Sequence, residues 1–277
     1  MLHRLALVFI FFLNISNIYA ADILGARAMG LAGSTRGGPL LNEALHLNPA
    51  FESFLPVNSV SFNWIPFQGN SGSGIKGRNY TLSVFDGRST AFQAGLAFTI
   101  RNDLTMVHVG ASKALLKQLG IGLGAKYLIE NSSAQNAQDV TFSVVGIPLG
   151  WLQTAFIIDN LVETDLGKRN GLNREYIVGL KVNLESIFLM YLDPHYIPSI
   201  ANSWGHAYGM EFVLMKDLFL RFGGFRNTLV PHLAERGKGY SVGLGWLAPR
   251  ISFDFSLYRT LEPVLSTATG LGATIYF

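Results

Sequence analysis

Along most of the chain, apolar and polar residues take turns at every second position. Phe92, Ala94, Leu96, Phe98 and Ile100 interleave with Gln93, Thr99 and Arg101. Ile121, Leu123, Ala125, Tyr127 and Ile129 face away from Lys126 and Glu130, and Ile251, Phe253, Phe255 and Leu257 face away from Ser252, Asp254 and Ser256. A period of two puts each set on one face of an extended strand. Fourteen such segments can be read, at 59–67, 80–86, 90–101, 105–112, 120–130, 140–147, 151–160, 173–183, 186–193, 205–215, 218–226, 239–247, 250–259 and 268–277. The segment 186–193 is apolar on both faces. The last runs to the final residue, with Leu271, Ala273, Ile275 and Phe277 on one side and Gly272, Thr274 and Tyr276 on the other.

The connections alternate in length. "DGRS", "KALLKQL", "PLG", "LE", "KD" and "AP" are short, and 68–79, 131–139, 161–172, 194–204, 227–238 and 260–267 are long; only "NDL" at 102–104 is short where a long one is due. Short turns on one side and longer loops on the other, with an even strand number, describe a bacterial outer-membrane barrel with both termini in the periplasm. Trp64, Trp151, Trp204, Trp246, Tyr80, Tyr191, Tyr258 and Tyr276 lie at or near strand ends and are expected in the aromatic girdles at the two interfaces.

Composition narrows the choice. The chain is 49% hydrophobic and only 14% charged, against about 25% charged for soluble proteins. Its opening, "MLHRLALVFIFFLNISNIYA", has a basic start, an apolar run too short to span a bilayer and small residues at Ala20 and Ala21, so 1–21 is expected to be a secretory signal peptide. No cysteine is present, so disulfides have no role. No later apolar run reaches the length of a spanning helix. A closed barrel is the remaining structure that satisfies its backbone in lipid. A water-facing sandwich or solenoid would carry polar outward faces, which these strands lack. The fold class expected is all-β: a 14-stranded antiparallel transmembrane barrel over 58–277, preceded by a segment at 22–57.

That segment, "DILGARAMGLAGSTRGGPLLNEALHLNPAFESFLPV", has no period-two pattern and is too apolar to remain in water. Fourteen strands enclose a bore that it could plug. Asn48, Pro49 and Ala50 are expected at a tight turn, because proline holds its predecessor extended and asparagine suits turns.

"LGARAMGLAG" followed by "NEALHLNPA" resembles the N-terminal signature of the FadL-type long-chain fatty-acid transporters and their PorV-type relatives. "YGMEFVLMKDLFLRFGGFRN", "YSVGLGWLAPRISFDFSLY" and "GLGATIYF" are similar to the C-terminal run of PorV-type chains. The resemblance implies a 14-stranded barrel with an N-terminal hatch containing the Asn48-Pro49-Ala50 motif. It also implies either passive uptake of hydrophobic molecules such as fatty acids, or a non-transporting anchor for a protein partner in an envelope complex. Family transporters are longer, largely in outer loops that form a first ligand groove, and here the long connections are compact.

With the apolar face toward lipid, the bore carries Arg101, Lys126, Glu130, Glu175, Lys181, Glu211, Arg221 and Asp254. Balanced charge of this kind favours mutual pairing over an ion-selective ring, which would carry one sign. Glu211 and Arg221 flank the turn at Lys216–Asp217 and are expected to form a diagonal pair. Gly95, Gly110, Gly122, Gly124, Gly179, Gly209 and Gly223 leave the inner wall bare, where a lateral gap could open. No histidine pair has metal spacing and no hydrolase motif occurs, so neither an enzyme, a metal nor a cofactor is expected. "GSGIKGRNY" at 72–80 lacks the following helix of a phosphate loop. The partners expected are outer-membrane lipid with an apolar ligand or a protein, and no nucleic acid.

Overall fold

The structure, a computed structural model, describes residues 23–39, 41–131, 135–185, 187–233 and 235–277; the expected leader at 1–21 lies outside them. Fourteen antiparallel strands close into one barrel. They are β1 (Asn58–Gly69), β2 (Lys76–Asp86), β3 (Gln93–Arg101), β4 (Leu104–Leu116), β5 (Leu119–Glu130), β6 (Asn136–Leu149), β7 (Leu152–Asp159), β8 (Glu175–Leu184), β9 (Phe188–Tyr196), β10 (Trp204–Met215), β11 (Leu218–Leu229), β12 (Arg236–Ala248), β13 (Ile251–Glu262) and β14 (Ser266–Tyr276). Each pairs with its neighbours in sequence, and β14 returns to β1 with Trp64 opposite Leu271 and Phe62 opposite Ala273. Closure removes the free edges that an open sheet would present. It also accounts for the terminal aromatic: the Phe277 N–H donates to Asn58 O at 3.0 Å, holding the ring on the outside of the wall.

The two faces sort as the alternation predicts. Leu82, Leu96, Phe98, Leu123, Phe255 and Leu271 are exposed on the outer face, while Ser61, Thr81, Thr99, Ser143 and Thr274 are buried inside. Such an apolar outer face, continued around a closed wall, far exceeds the patches water-facing monomers carry and matches a membrane barrel.

Strand ends differ from the periodic reading. β2 begins at Lys76, β11 runs to Leu229, β12 begins at Arg236 and β13 runs to Glu262. In these extensions both faces carry polar residues, so the ladder continues where the alternation has gone. At the opposite rim most of "KALLKQL" is strand, with Lys113 paired to Ile121 and Ala114 to Gly120. The longest connection among the described residues, 160–174, holds the short helix α3 (Asp165–Arg169), which is capped by Thr164 Oγ1 accepting from Gly167 N–H at 3.2 Å. The rim carrying the C-terminus, the start of β1 and the tight turns is termed the terminal rim, and the other the loop rim.

Three expected girdle residues face inward instead. Tyr191 and Tyr258 are buried, the latter stacked on Phe225 at 4.8 Å, and the Tyr276 hydroxyl donates to Ser252 Oγ at 2.5 Å. Trp151, Trp204 and Trp246 are exposed outside, joined by Tyr208 and Tyr240.

The segment before β1 forms α1 (Ala26–Gly30), a 3-10 turn at Leu41–Glu43, α2 (Ala44–Leu47) and a 3-10 helix at Pro49–Phe54. Each of these four elements lies against inward strand faces.

Candidate functional site: a filled lumen

The segment is seated by wall side chains that satisfy its backbone. α1 rests on β12–β14, where Asn63 Oδ1 accepts the Ala26 N–H at 2.9 Å and Ser241 Oγ donates to Gly30 O at 3.0 Å. Further along, Asp193 Oδ2 accepts the Arg36 N–H at 2.9 Å and Ser143 Oγ accepts the Ala50 N–H at 2.8 Å. Backbone groups buried in the lumen without a partner are costly, so these contacts satisfy three N–H donors and, at Gly30, one carbonyl acceptor of the segment.

The inward glycines serve this seating. A Cβ on Gly122 would fall 2.2 Å from Ala50 N, and one on Gly179 would fall 2.4 Å from Gly37 N; both neighbours are backbone atoms that cannot swing aside. Gly95 and Gly110 make room for Leu45 and Gly209 and Gly223 for Leu31, whereas a Cβ on Gly124 would make only ordinary contact, with Thr141 and Pro49. In this structure these positions are therefore not an open gap: they are the bed of the segment. The β8–β9 ladder is nonetheless interrupted beside one of them. Pairing passes from Ile177–His195 to Leu180–Leu192, skipping Val178 and Gly179 opposite Asp193 and Pro194. Proline has no N–H to give, and the Asp193 carboxylate is committed to the segment.

Asn48, Pro49 and Ala50 do not form an isolated turn. Asn48 is extended (φ −162°, ψ 86°), and Pro49 opens the 3-10 helix as its first residue, a position where proline's missing N–H costs nothing. The Asn48 amide donates to Arg36 O at 2.8 Å, tying the two halves of the segment together.

Most of the expected polar residues join ion networks. Glu211 and Arg221 stand directly opposite one another in the β10–β11 register, not on the expected diagonal, and Arg221 Nε donates to Glu211 Oε2 at 2.5 Å. Arg221 Nη1 reaches Asp254 Oδ1 at 2.5 Å. Arg27 of α1 completes the cluster, with Nη2 at 2.9 Å from Glu211 Oε1 and 3.1 Å from the Tyr191 hydroxyl. Lys126 binds both oxygens of Asp159 at 2.6 Å and Asn160 Oδ1 at 3.0 Å. Glu175 accepts from Arg236 Nη2 at 2.7 Å and lies 2.9 Å from His195 Nδ1. Arg101 grips Asp103 at 2.6 and 2.8 Å. Lys181 lies over the Tyr191 ring at 5.7 Å, and Glu130 ends β5 opposite Leu104. Sequence reasoning does not single out Arg27, Tyr191, Asp159, His195 or Arg236 as members of these networks. Arg27 offers one cue, as the one basic residue within α1.

The other half of the segment carries groups whose charged forms burial disfavours. Burial raises the Glu52 carboxyl to about 9, and neither of its oxygens has a hydrogen-bond partner. Burial, with a smaller contribution from Lys126, lowers His46 to about 4; its ring meets His108 edge-on at 4.7 Å. Burial also raises Glu43 to about 7 against the opposing pull of Arg27, while Glu43 Oε1 accepts the Ala28 N–H at 2.9 Å. The α1 half is thus clamped by ions and the Pro49–Phe54 half is held by fit.

Little space remains. Beside Arg27, Glu211, Arg221 and Tyr276 is a cavity of about 40 Å³, and two more within the wall, one by Glu175 and His195 and one by Phe67 and His232, are near 10 Å³. Among the described residues no group of three or more His, Asp or Glu is placed to hold a metal ion.

The architecture has solved counterparts. It is similar to CymD, a monoaromatic hydrocarbon channel (TM-score 0.68, 11% identity, covering 92% of this chain and 97% of that one). The Ralstonia pickettii toluene transporter TbuX (TM-score 0.63, 9% identity, 92% and 98% covered) and a Pseudomonas aeruginosa FadL homologue (TM-score 0.63, 11% identity, 93% and 99% covered) are similar to it as well. No family model and no curated protein matches the sequence. The fold is that of the FadL-type outer-membrane barrels, shared at an identity that carries architecture alone.

Proposed function

We propose that the protein is an outer-membrane channel that admits apolar small molecules without opening a water path, and that residues 22–57 are its gate. What carries this is the filled lumen. Its cavities of about 40 Å³ and less compare with the about 150 Å³ that holds a benzene, so the segment must shift before any hydrocarbon enters. A hydrated solute has no passage at all. The similar barrels CymD and TbuX are a monoaromatic hydrocarbon channel and a toluene transporter, which makes small aromatics or single acyl chains the cargo class. The cargo leaves through the wall at the β8–β9 interruption, where exposed Val178 and Leu192 border lipid. The terminal rim faces the periplasm, because its turns are tight and the other rim's connections are longer.

Vesicles whose outer leaflet is lipopolysaccharide, a barrier to hydrocarbons, provide the test. With the protein present, toluene should enter faster than into protein-free vesicles, while arabinose should enter at the same rate. Rapid arabinose entry would replace the proposal with a general porin. A lumen without a ligand-sized void also suits a barrel that transports nothing and anchors a protein partner. Unaccelerated toluene together with a stoichiometric co-purifying protein would favour that second reading.

Membrane placement has its own check. Phe255→Arg, mid-wall and outward, should cost about 2–4 kcal/mol, and Leu261→Arg, outward at the loop rim, about 0–1 kcal/mol, read from the unfolding of the heat-modifiable band. Equal losses would contradict the placement. Ser256 is unsuitable as an inward comparison: it is fully buried beneath α1, and an arginine there would overpack the lumen.

A further inference from the structure

A row of basic side chains crosses the outer face of the barrel at the loop rim. His206 pairs with Arg226 and Arg226 with Lys238, so the three stand side by side on β10, β11 and β12. They border a polar groove of about 660 Å³ on the outside of the wall. Lys238 shares its charge with Glu262 at 2.5 Å, whereas Arg226 has no acidic partner among the described residues. Arg236 borders the same groove, but its charge is taken up by the buried Glu175 at 2.7 Å, so the surplus rests on Arg226. The row thus carries more positive charge than its own carboxylates neutralise.

Aromatic residues fix its height. Two residues toward the mid-wall, Tyr208, Gly224 and Tyr240 stand in line, and both tyrosines are exposed outward. Gly224 leaves the space over which the exposed Tyr208 ring lies. On the other side of the row, Trp204 is exposed. Tyrosine and tryptophan mark the level where acyl chains give way to headgroups, so cations bracketed by them lie at the level of lipid phosphates. Bulges after Arg226 and at Lys238, with Asn227 at φ +54°, bend the rim at this point.

We propose that this groove binds the phosphate of a lipid in the leaflet at the loop rim, with Arg226 as the forked donor and Lys238 and His206 beside it. A guanidinium matches two phosphate oxygens at once, which an ammonium cannot do. The leaflet assignment rests on the membrane placement proposed above; the phosphate assignment does not.

Native mass spectrometry of the detergent-solubilised full chain would test it, using bis-phosphorylated lipid A, the same lipid dephosphorylated, and inorganic phosphate. The wild type should retain one phosphorylated lipid, and Arg226→Ala with Lys238→Ala should weaken retention by about tenfold or more, the loss expected from charge-assisted hydrogen bonds. Arg226→Lys should lose less than Arg226→Ala. An unshifted heat-modifiable band shows that each variant is folded. Equal retention by the double variant or of the dephosphorylated lipid would overturn the proposal, as would binding of millimolar inorganic phosphate in place of the lipid. Asn202→Cys, at the same rim, tests the leaflet separately: in this cysteine-free chain it should react with an impermeant maleimide on intact cells, and absence of labelling would overturn the leaflet assignment alone.

Discussion

Deleting residues 22–50 should turn a barrel that conducts almost no ions into one showing discrete single-channel steps in planar bilayers. The segment fills the bore with backbone as well as side chains, and the wall glycines beneath it have nothing to put in its place. Fourteen strands stand between barrels filled by their own side chains and those that hold open aqueous channels, so an emptied lumen of this size admits water. Gly122→Val should act in the same direction more weakly, because the new Cβ would meet Ala50 N at 2.2 Å and lift the Pro49–Phe54 helix from its seat. Unchanged conductance in the deletion variant would mean that the segment does not close the path.

Glu211→Ala should cost about 3–5 kcal/mol of stability, the loss typical of breaking a buried ion pair from one side. Glu211 stands between Arg27 and Arg221, and both partners are buried. Arg221 would keep Asp254, but Arg27 would keep only the Tyr191 hydroxyl as a hydrogen-bond partner, with the Glu43 carboxyl as a remaining nearby charge. The main consequence is therefore the release of α1, visible as a lower temperature for the heat-modifiable transition together with greater protease access to the segment. Following Glu211→Ala with Arg27→Met, which removes the stranded charge, should restore much of the loss. No recovery would show that the cluster is held by something other than charge compensation.

The barrel is legible in the sequence because its wall lies between two unlike surroundings. Residues such as Leu123 and Lys126 fall on opposite faces of one strand, and fourteen repeats of that contrast define a closed sheet. Past the apolar band, at Lys76 or Arg236, both faces are polar and the periodicity carries no signal, so the strand extensions are hidden. Tyrosine misleads for a related reason: an apolar ring with a hydroxyl suits an interface and a polar lumen equally well, and Tyr191, Tyr258 and Tyr276 take the lumen. The Glu211–Arg221 contact is readable because a two-residue turn holds the two strands together. The reach of Arg27 to Glu211 is not, since it joins distant parts of the chain through a segment without periodicity. The glycines illustrate the same limit. Sequence shows that Gly122 and Gly179 leave the wall bare, but only the fold shows that a second piece of backbone lies against them.

The central claim is that the N-terminal segment must move for an apolar solute to pass. Ala26→Cys with Gly272→Cys would fasten α1 to β14, since the Cβ positions are 3.0 Å apart and a small shift brings them to disulfide separation. The natural chain has no cysteine to compete. Toluene entry into lipopolysaccharide-faced vesicles should be slow with the oxidised variant and recover to the wild-type rate after reduction. Equal rates in the oxidised and reduced forms, with the cross-link verified by mass, would contradict the account.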